Sequence, residues 1–307
     1  MPRHEPVLSK ELIELLEPRP GSVAIDCTLG GGGHTHALWQ LTRPGGRVLA
    51  IDQDAAAVEA ARRRFADLHD PPQVVQGNFA DVVHIATAAG IESAQAVVFD
   101  LGLSSDQLDL AERGFSFQRE GPLDMRMNPE QPVTAARYLN QLPERELAHH
   151  IRELGEERWA ARIAQFIVRS RPLATTSDLR RAVEAAVPRA AWPKGIHPAT
   201  RTFQAIRMLV NDELQNLSLG LQGANQLLTP GGRMAAISFH SLEDALVKSY
   251  FIAESKDCIC PPQQPVCTCA HRASLTIVTR RPLRPSPAEV LANPRSRSAR
   301  LRVAQKL

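Results

Sequence analysis

Three carboxylates and a run of glycines are spaced as if to hold a cofactor. Asp26 ends the apolar run Ser22-Val-Ala-Ile-Asp26 and is followed at once by Cys-Thr-Leu-Gly30-Gly-Gly-Gly-His34. Asp52 ends a second such run, Ala50-Ile-Asp52, 22 residues after Gly30. Successive glycines let backbone N–H groups approach a ligand closely, and an acid about 20 residues further on can accept both hydroxyls of a ribose. Asp26 at the mouth of the turn adds a sign to the argument. It would repel a pyrophosphate and favour a cofactor carrying positive charge. S-adenosylmethionine (SAM) has an ammonium, a sulfonium and one carboxylate, so the pattern points to methyl transfer. A nicotinamide-dependent oxidoreductase would instead need a tight Gly-x-Gly-x-x-Gly turn free of such an acid.

Two further segments follow apolar runs in the same way. Asp100-Leu-Gly-Leu-Ser104-Ser-Asp-Gln107 comes after a fourth run, at the edge where open α/β sheets bind ligands. Gly77-Asn78-Phe79 comes after a third, where Phe79 either stacks on an adenine or belongs to the core. Four cysteines stand apart from these. Cys258-Ile-Cys260 and Cys267-Thr-Cys269 put four thiols within twelve residues, with His271 close behind. Such a set could close a tetrahedral zinc site. Cys-x-Cys is a less usual zinc spacing than Cys-x-x-Cys, and Pro261, Pro262 and Pro265 interrupt the segment, so a loop of reduced thiols is expected and no metal ligand is assigned. Cys27, alone behind the first run, is read as packing.

The elements that must position these residues are short β-branched or apolar runs at 22–26, 47–52, 73–76, 95–100 and 233–239, as expected for parallel strands covered on both faces. An internal echo supports them: Thr42-Arg-Pro-Gly-Gly-Arg47-Val-Leu-Ala-Ile51 resembles Thr229-Pro-Gly-Gly-Arg233-Met-Ala-Ala-Ile237. Each reads as a helix end, a turn and a buried strand. Residues 274–280 alternate polar and apolar, suiting a late antiparallel edge strand. The stretch from Asp100 to Arg233 is too long for one crossover helix, and 108–200 is helical in pattern. Trp159, Ile163, Phe166 and Ile167 share a helical face, and Thr176-Ser177 opens another helix with capping residues. The expected fold is α/β: a Rossmann-like class I SAM-dependent methyltransferase sheet, residues 1–107 and 201–307, with an inserted α-helical domain at 108–200. The insert carries Arg152, Arg158, Arg162, Arg169, Arg180 and Arg181, which form either a solvated face or a surface for RNA.

At 307 residues and 43% apolar composition the chain can build a sizeable core. No apolar run approaches a membrane span and the first six residues lack signal-peptide features, so a soluble, cytoplasmic protein is expected. The net charge of +3 conceals an uneven distribution, because 280–307 holds eight Lys/Arg against one acid, Glu289. Arg295, Arg297, Arg300 and Arg302 therefore read as a phosphate-contacting arm. The alternative is that the tail folds back and buries Leu301 and Val303.

Longer blocks carry a family resemblance. Gly114-Phe-Ser-Phe117, Pro122-Leu-Asp-Met-Arg-Met127, His197-Pro-Ala-Thr-Arg-Thr-Phe-Gln204 and Ser238-Phe-His-Ser-Leu-Glu-Asp244 resemble the bacterial 16S ribosomal RNA (cytosine-N4)-methyltransferases. The likeness runs from His4-Glu-Pro-Val-Leu8 to Asn293-Pro-Arg-Ser-Arg-Ser298, nearly the whole chain. It implies SAM-dependent methylation of a decoding-region cytosine, position 1402 of 16S rRNA, with that RNA or the small ribosomal subunit as partner and neither DNA nor membrane. It also implies that Gly32, Gly33 and His34 line the methionine end of SAM and that Asp52 holds the ribose. Phe79, Asp100 and Gln107 would complete the adenosyl and methyl-donor surroundings, and Asp26 would act through water or by ordering the loop. Amino-methyltransferases of DNA commonly place an acid, Asn or Ser before two prolines and an aromatic here; Asp100-Leu-Gly-Leu departs from that. The group that orients the cytosine amine is thus left open between Asp100 and His240, with a structural role for His240 equally open. The alternative to an enzyme is a non-catalytic RNA-binding protein on a methyltransferase fold.

Overall fold

The computed structural model describes residues 6–307 apart from Pro262 and Pro265, and the backbone alone of Ser105 and Asp106. His4 and Glu5, where the family resemblance begins, lie outside the described residues. The chain divides into two compact units, one made of 1–102 and 214–307, the other of 103–213. The expected boundary at 200/201 moves to 213/214 because helix Thr200–Asn211 packs within the second unit. Its backbone comes so close to helix Glu144–Gly155 that a Cβ on Gly155 would stand 2.7 Å from the Arg201 carbonyl.

The first unit is built on a seven-stranded sheet. Its strands are β1 (Val23–Asp26), β2 (Arg47–Asp52), β3 (Gln73–Gln76), β4 (Ala94–Asp100), β5 (Leu228–Ser238), β6 (Leu275–Ile277) and β7 (Arg300–Lys306). They lie in the order β3-β2-β1-β4-β5-β7-β6. β1 to β5 run parallel, β7 is antiparallel to β5, and β6 is antiparallel to β7. The parallel strands are continuous apolar runs because both faces are covered. Ile25, Leu49, Val97, Phe99, Met234 and Ala236 join one core with helices Val82–Ala88, Glu213–Leu227 and Ser241–Glu254. Their neighbours Ala24, Val48, Val98, Ala235 and Ile237 join another with helices Ser9–Leu16 and Gly33–Thr42.

The two echoed turns share one construction. Gly45 and Gly231 hold φ of +78° and +81°, where an L side chain is strained. The next glycine in each is crowded by backbone: a Cβ on Gly46 would stand 2.3 Å from the Thr42 carbonyl, and one on Gly232 would stand 2.9 Å from that of Thr229. The 229–232 turn lies within β5, which therefore starts earlier than the 233 expected and shows a register irregularity against Ala94–Ala96.

β7 overturns the reading of Arg300 and Arg302 as part of a phosphate-contacting arm. It is an inner strand, with Leu301 and Val303 fully buried. Arg302 donates to both oxygens of Asp244 (2.6 and 3.1 Å) and Arg300 to Oδ2 at 2.9 Å. Burial makes an unpaired arginine costly, so the sequence supplies an acid for both. Arg295 and Arg297 sit on the short turn before β7 and are exposed.

The second unit is a set of helices around its own core, including Leu139, Leu147, Ile151, Ile163, Ile167, Leu179 and Val183, with Trp159 and Phe166 partly buried against it. Helix Thr176–Ala186 is capped by Thr175, one residue earlier than expected, in a reciprocal pairing with Asp178. Among the described residues no helix is long and apolar enough to cross a membrane.

Candidate active site

Asp26, Asp52 and Asp100 are the last residues of β1, β2 and β4, with β1 in the middle. The chain proceeds from β1 outward to β3, then returns to β1's other side at β4. That reversal opens a crevice at the carboxyl ends of β1 and β4, the usual ligand position in an open α/β sheet.

The acids at the ends of β1 and β2 shape the glycine turn. Asp26 is fully buried, accepting from Thr35 Oγ1 (2.6 Å) and from the Thr28 N–H (3.1 Å). It therefore braces the turn from below, joining its start to the first turn of helix Gly33–Thr42. Asp52 accepts from the Gly30 N–H (2.8 Å) and, through its other oxygen, from the Asp54 N–H (2.9 Å). Thr28 Oγ1 accepts from the Asp100 N–H at 2.6 Å, which ties the turn to β4. Neither Thr28 nor Thr35 was singled out from sequence, where isolated threonines carry no signal of such long-range bonds.

Gly32 and Gly33 are required by close packing. A Cβ on Gly33 would press on the Pro6 ring at 2.9 Å, and one on Gly32, at φ +74°, would meet the Phe65 ring at 3.0 Å. Arg64 donates to the Gly31 carbonyl, while a Cβ on Gly31 would meet nothing within 4 Å. The upper side of the turn is thus open and its lower side is braced.

His34 is buried with its Nε2 3.4 Å from Asp100 Oδ2, near enough to pair but poorly aligned for a hydrogen bond. Both its ring nitrogens and Asp100 Oδ1 are buried without a hydrogen-bond partner among the described residues. Unsatisfied buried groups are costly and uncommon; beside an open glycine turn, these acids fit a ligand that brings positive charge and donors. Burial raises the Asp26 carboxyl above its usual range despite the Thr35 bond. Burial also pushes Asp52 up, to about 6, against the opposing pull of the Asp54 and Gly30 N–H groups. For His34, burial favours the neutral ring, but the adjacent Asp100 and Asp26 outweigh it and raise its pKa.

Phe79 starts a short turn of helix capped by Asn78 and packs edge-on against Phe99, with ring centroids 5.6 Å apart. It is only partly buried. Gln107 belongs to the second unit, where its Oε1 accepts from the Ser104 N–H at 3.1 Å. His240 caps helix Ser241–Glu254: its Nδ1 accepts from the Glu243 N–H, and Glu243 returns bonds to the N–H groups of Phe239 and His240.

Much of the remaining family-like sequence is structural. His197 packs on Phe117 and lies 3.1 Å from Glu184. The 122–127 block is held by Asn211, which bonds the backbone of Met125 and Met127, and by the Asp124–Arg126 pair.

The strand order and the braced glycine turn define a class I methyltransferase. The model of the MraW methylase family matches residues 1–307, and the chain belongs to that family. A methylase on this sheet takes S-adenosylmethionine as its methyl donor. The chain is 51% identical over 307 residues to the ribosomal RNA small subunit methyltransferase H of Symbiobacterium thermophilum, covering 99% of this chain and 96% of that one. The protein of the same name from Heliobacterium modesticaldum is 49% identical over 308 residues, covering 99% and 98%. A solved rRNA methylase from Streptococcus thermophilus has a TM-score of 0.44 at 14% identity, over 97% of this chain and 93% of that one.

Proposed function

We propose that the protein transfers a methyl group from S-adenosylmethionine to the exocyclic N4 amine of a decoding-region cytosine, position 1402 of 16S ribosomal RNA. The observation that carries this reading is the row of acids Asp26, Asp52 and Asp100 around an open glycine turn. It occurs in a methylase whose relatives at about half identity are named for the small ribosomal subunit. The cofactor supplies a methyl group on a positively charged sulfur. Gly32, Gly33 and His34 border its methionine end, Asp52 accepts from its ribose hydroxyls, and Phe79 packs by its adenine. Gln107 is assigned to the cofactor by the family resemblance alone.

The cytosine amine is a poor nucleophile because its lone pair is delocalised into the ring. An acceptor aimed at one of its hydrogens favours pyramidalisation, and in-line placement supplies much of the rest. Asp100 suits that role, since its Oδ1 is buried without a hydrogen-bond partner among the described residues. His240 Nε2 shares that lack, but its Nδ1 caps a helix and Nε2 lies 3.0 Å from Glu243 Oε1, which supports Asp100 over it. The second unit serves RNA recognition. Its Arg158, Arg162 and Arg189 lie over Trp159, Phe166 and Trp192 at 5.7, 5.6 and 5.0 Å, the cation–aromatic pairing that suits phosphates and unstacked bases.

The test is transfer from methyl-labelled SAM to free 16S rRNA and to small subunits from cells lacking the modification, followed by nucleoside mass spectrometry. Labelled N4-methylcytidine at one site is expected. Label on another nucleobase atom would remove the N4 assignment. Binding of SAM and RNA with no transfer to either substrate would leave a non-catalytic binding protein.

A further inference from the structure

Between helix Ser241–Glu254 and β6 the chain makes an exposed excursion whose base is well clasped. The Ser274 N–H donates to the Glu254 carbonyl (2.8 Å) and its Oγ to Glu254 Oε2 (2.5 Å). The Ala273 N–H bonds Asp257 Oδ1 at 3.2 Å. Beyond this base there is little to hold the loop. Its Ile259 and Val266 are 52% and 69% exposed, and no described residue from 255 to 273 joins a hydrophobic core. A long loop without a core of its own needs another source of order.

The cysteines supply one. The Sγ atoms of Cys258, Cys260, Cys267 and Cys269 all lie within 4.8 Å of one another. Cys267 and Cys269 are 3.6 Å apart, and Cys269 and Cys258 are 3.9 Å apart. Zinc bonds thiolate at about 2.3 Å, so a regular tetrahedron of four sulfurs has edges of roughly 3.8 Å. A pair of disulfides would draw the sulfurs together two by two; here Cys269 approaches two other sulfurs almost equally. His271 is turned away, with its Nε2 3.1 Å from the Ala253 carbonyl, so a fourth ligand from imidazole is not required.

We propose that Cys258, Cys260, Cys267 and Cys269 bind one zinc ion in a tetrahedral four-thiolate site that orders this loop. This departs from the loop of reduced thiols expected from sequence. Each thiol releases its proton to solvent as its sulfur bonds the metal, leaving a complex of net charge −2. With four protein ligands there is no open position, so the site is structural and not catalytic.

The test uses the full chain purified under reducing, chelator-free conditions. Elemental analysis should find about one zinc per chain, and a Cys267→Ser/Cys269→Ser double variant should hold at least about tenfold less. Cobalt(II) should replace zinc and give the intense visible bands of tetrahedral thiolate ligation, absent from the variant. If the variant fails to fold, wild-type metal content and the cobalt spectrum still decide the matter. Metal-free wild type without a cobalt band overturns the proposal. So do iron in place of zinc, a zinc content untouched by the double substitution, or disulfide pairs found by mass in freshly purified protein. None of these readouts depends on methyl transfer.

Discussion

Two carboxylate clusters in the first unit are built on opposite terms. At the ends of β1, β2 and β4, Asp26, Asp52 and Asp100 are gathered with no arginine or lysine bonded to them among the described residues, and His34 lies beside Asp100. Behind β5, Asp244 takes three hydrogen bonds from Arg300 and Arg302. Burial acts on both. It wins at Asp52, whose carboxyl rises to about 6, and loses at Asp244, where the two guanidiniums hold the carboxyl below its usual range. A buried acid supplied with its own counter-charges is part of the framework, whereas acids that are wholly or partly buried and left short of them suit a charge brought by something else.

Breaking the paired cluster should have the largest effect. Asp244→Ala leaves the buried Arg302 without its counter-charge and is expected to cost about 3–5 kcal/mol of stability. Denaturant unfolding measures this, and a loss under about 1 kcal/mol would mean the pair is incidental. The Asp244 contribution is present above the ordinary carboxylate range and fades as the pH falls through its lowered folded pKa.

Asp52→Ala acts on the other cluster. It should weaken SAM binding by about 1.5–3 kcal/mol, or roughly ten- to a hundredfold, with far less effect on melting. An unchanged dissociation constant by calorimetry removes Asp52 from the ribose.

Titration sharpens the same contrast. With its carboxyl at about 6, Asp52 should lose its acceptor role as the pH falls, so SAM affinity should drop about tenfold between pH 7 and 5. Stability of the free protein moves in the opposite sense at this residue. A raised folded pKa favours the protonated form, so the Asp52 contribution is fully present below about pH 4 and is lost as the pH rises through about 6. Affinity that stays flat over this range would show that the ionised carboxylate is not what the ligand meets.

The smallest effect is expected at the exposed arginines. Changing Arg295 and Arg297 to Ala should lower the log–log salt dependence of RNA binding by about 1.5 units, with melting unaltered. A shared drop in melting temperature would make them framework residues like Arg300 and Arg302.

What could be read in advance follows from range along the chain. The run at 47–52 coincides with β2, because a strand buried on both faces betrays itself by continuous apolar composition; the run at 73–76 coincides with the edge strand β3, marked only by its two valines. β7 did not, since Arg300-Leu-Arg-Val alternates charge with apolar residues like a solvated tail. Only the distant Asp244 explains why those arginines are tolerated inside. The glycine turn and Asp52 were legible through their spacing. The brace from Thr28 and Thr35 was not, because one hydroxyl in a sequence does not disclose its partner. The four cysteines were visible as a set, but their convergence depends on how the loop returns.

The position of β7 also bears on how the chain emerges from a ribosome. β5 pairs with β4 on one side and with β7 on the other, yet Arg300 follows Ser238 by 62 residues. Until that stretch has been made, β5 is an open edge lined by Ala235 and Ile237, the kind of surface on which unfinished chains pair with one another. Nascent chains halted before residue 300 should therefore be captured by holding chaperones or aggregate, and arrival of the two arginines at Asp244 marks the point at which the sheet ceases to be adhesive.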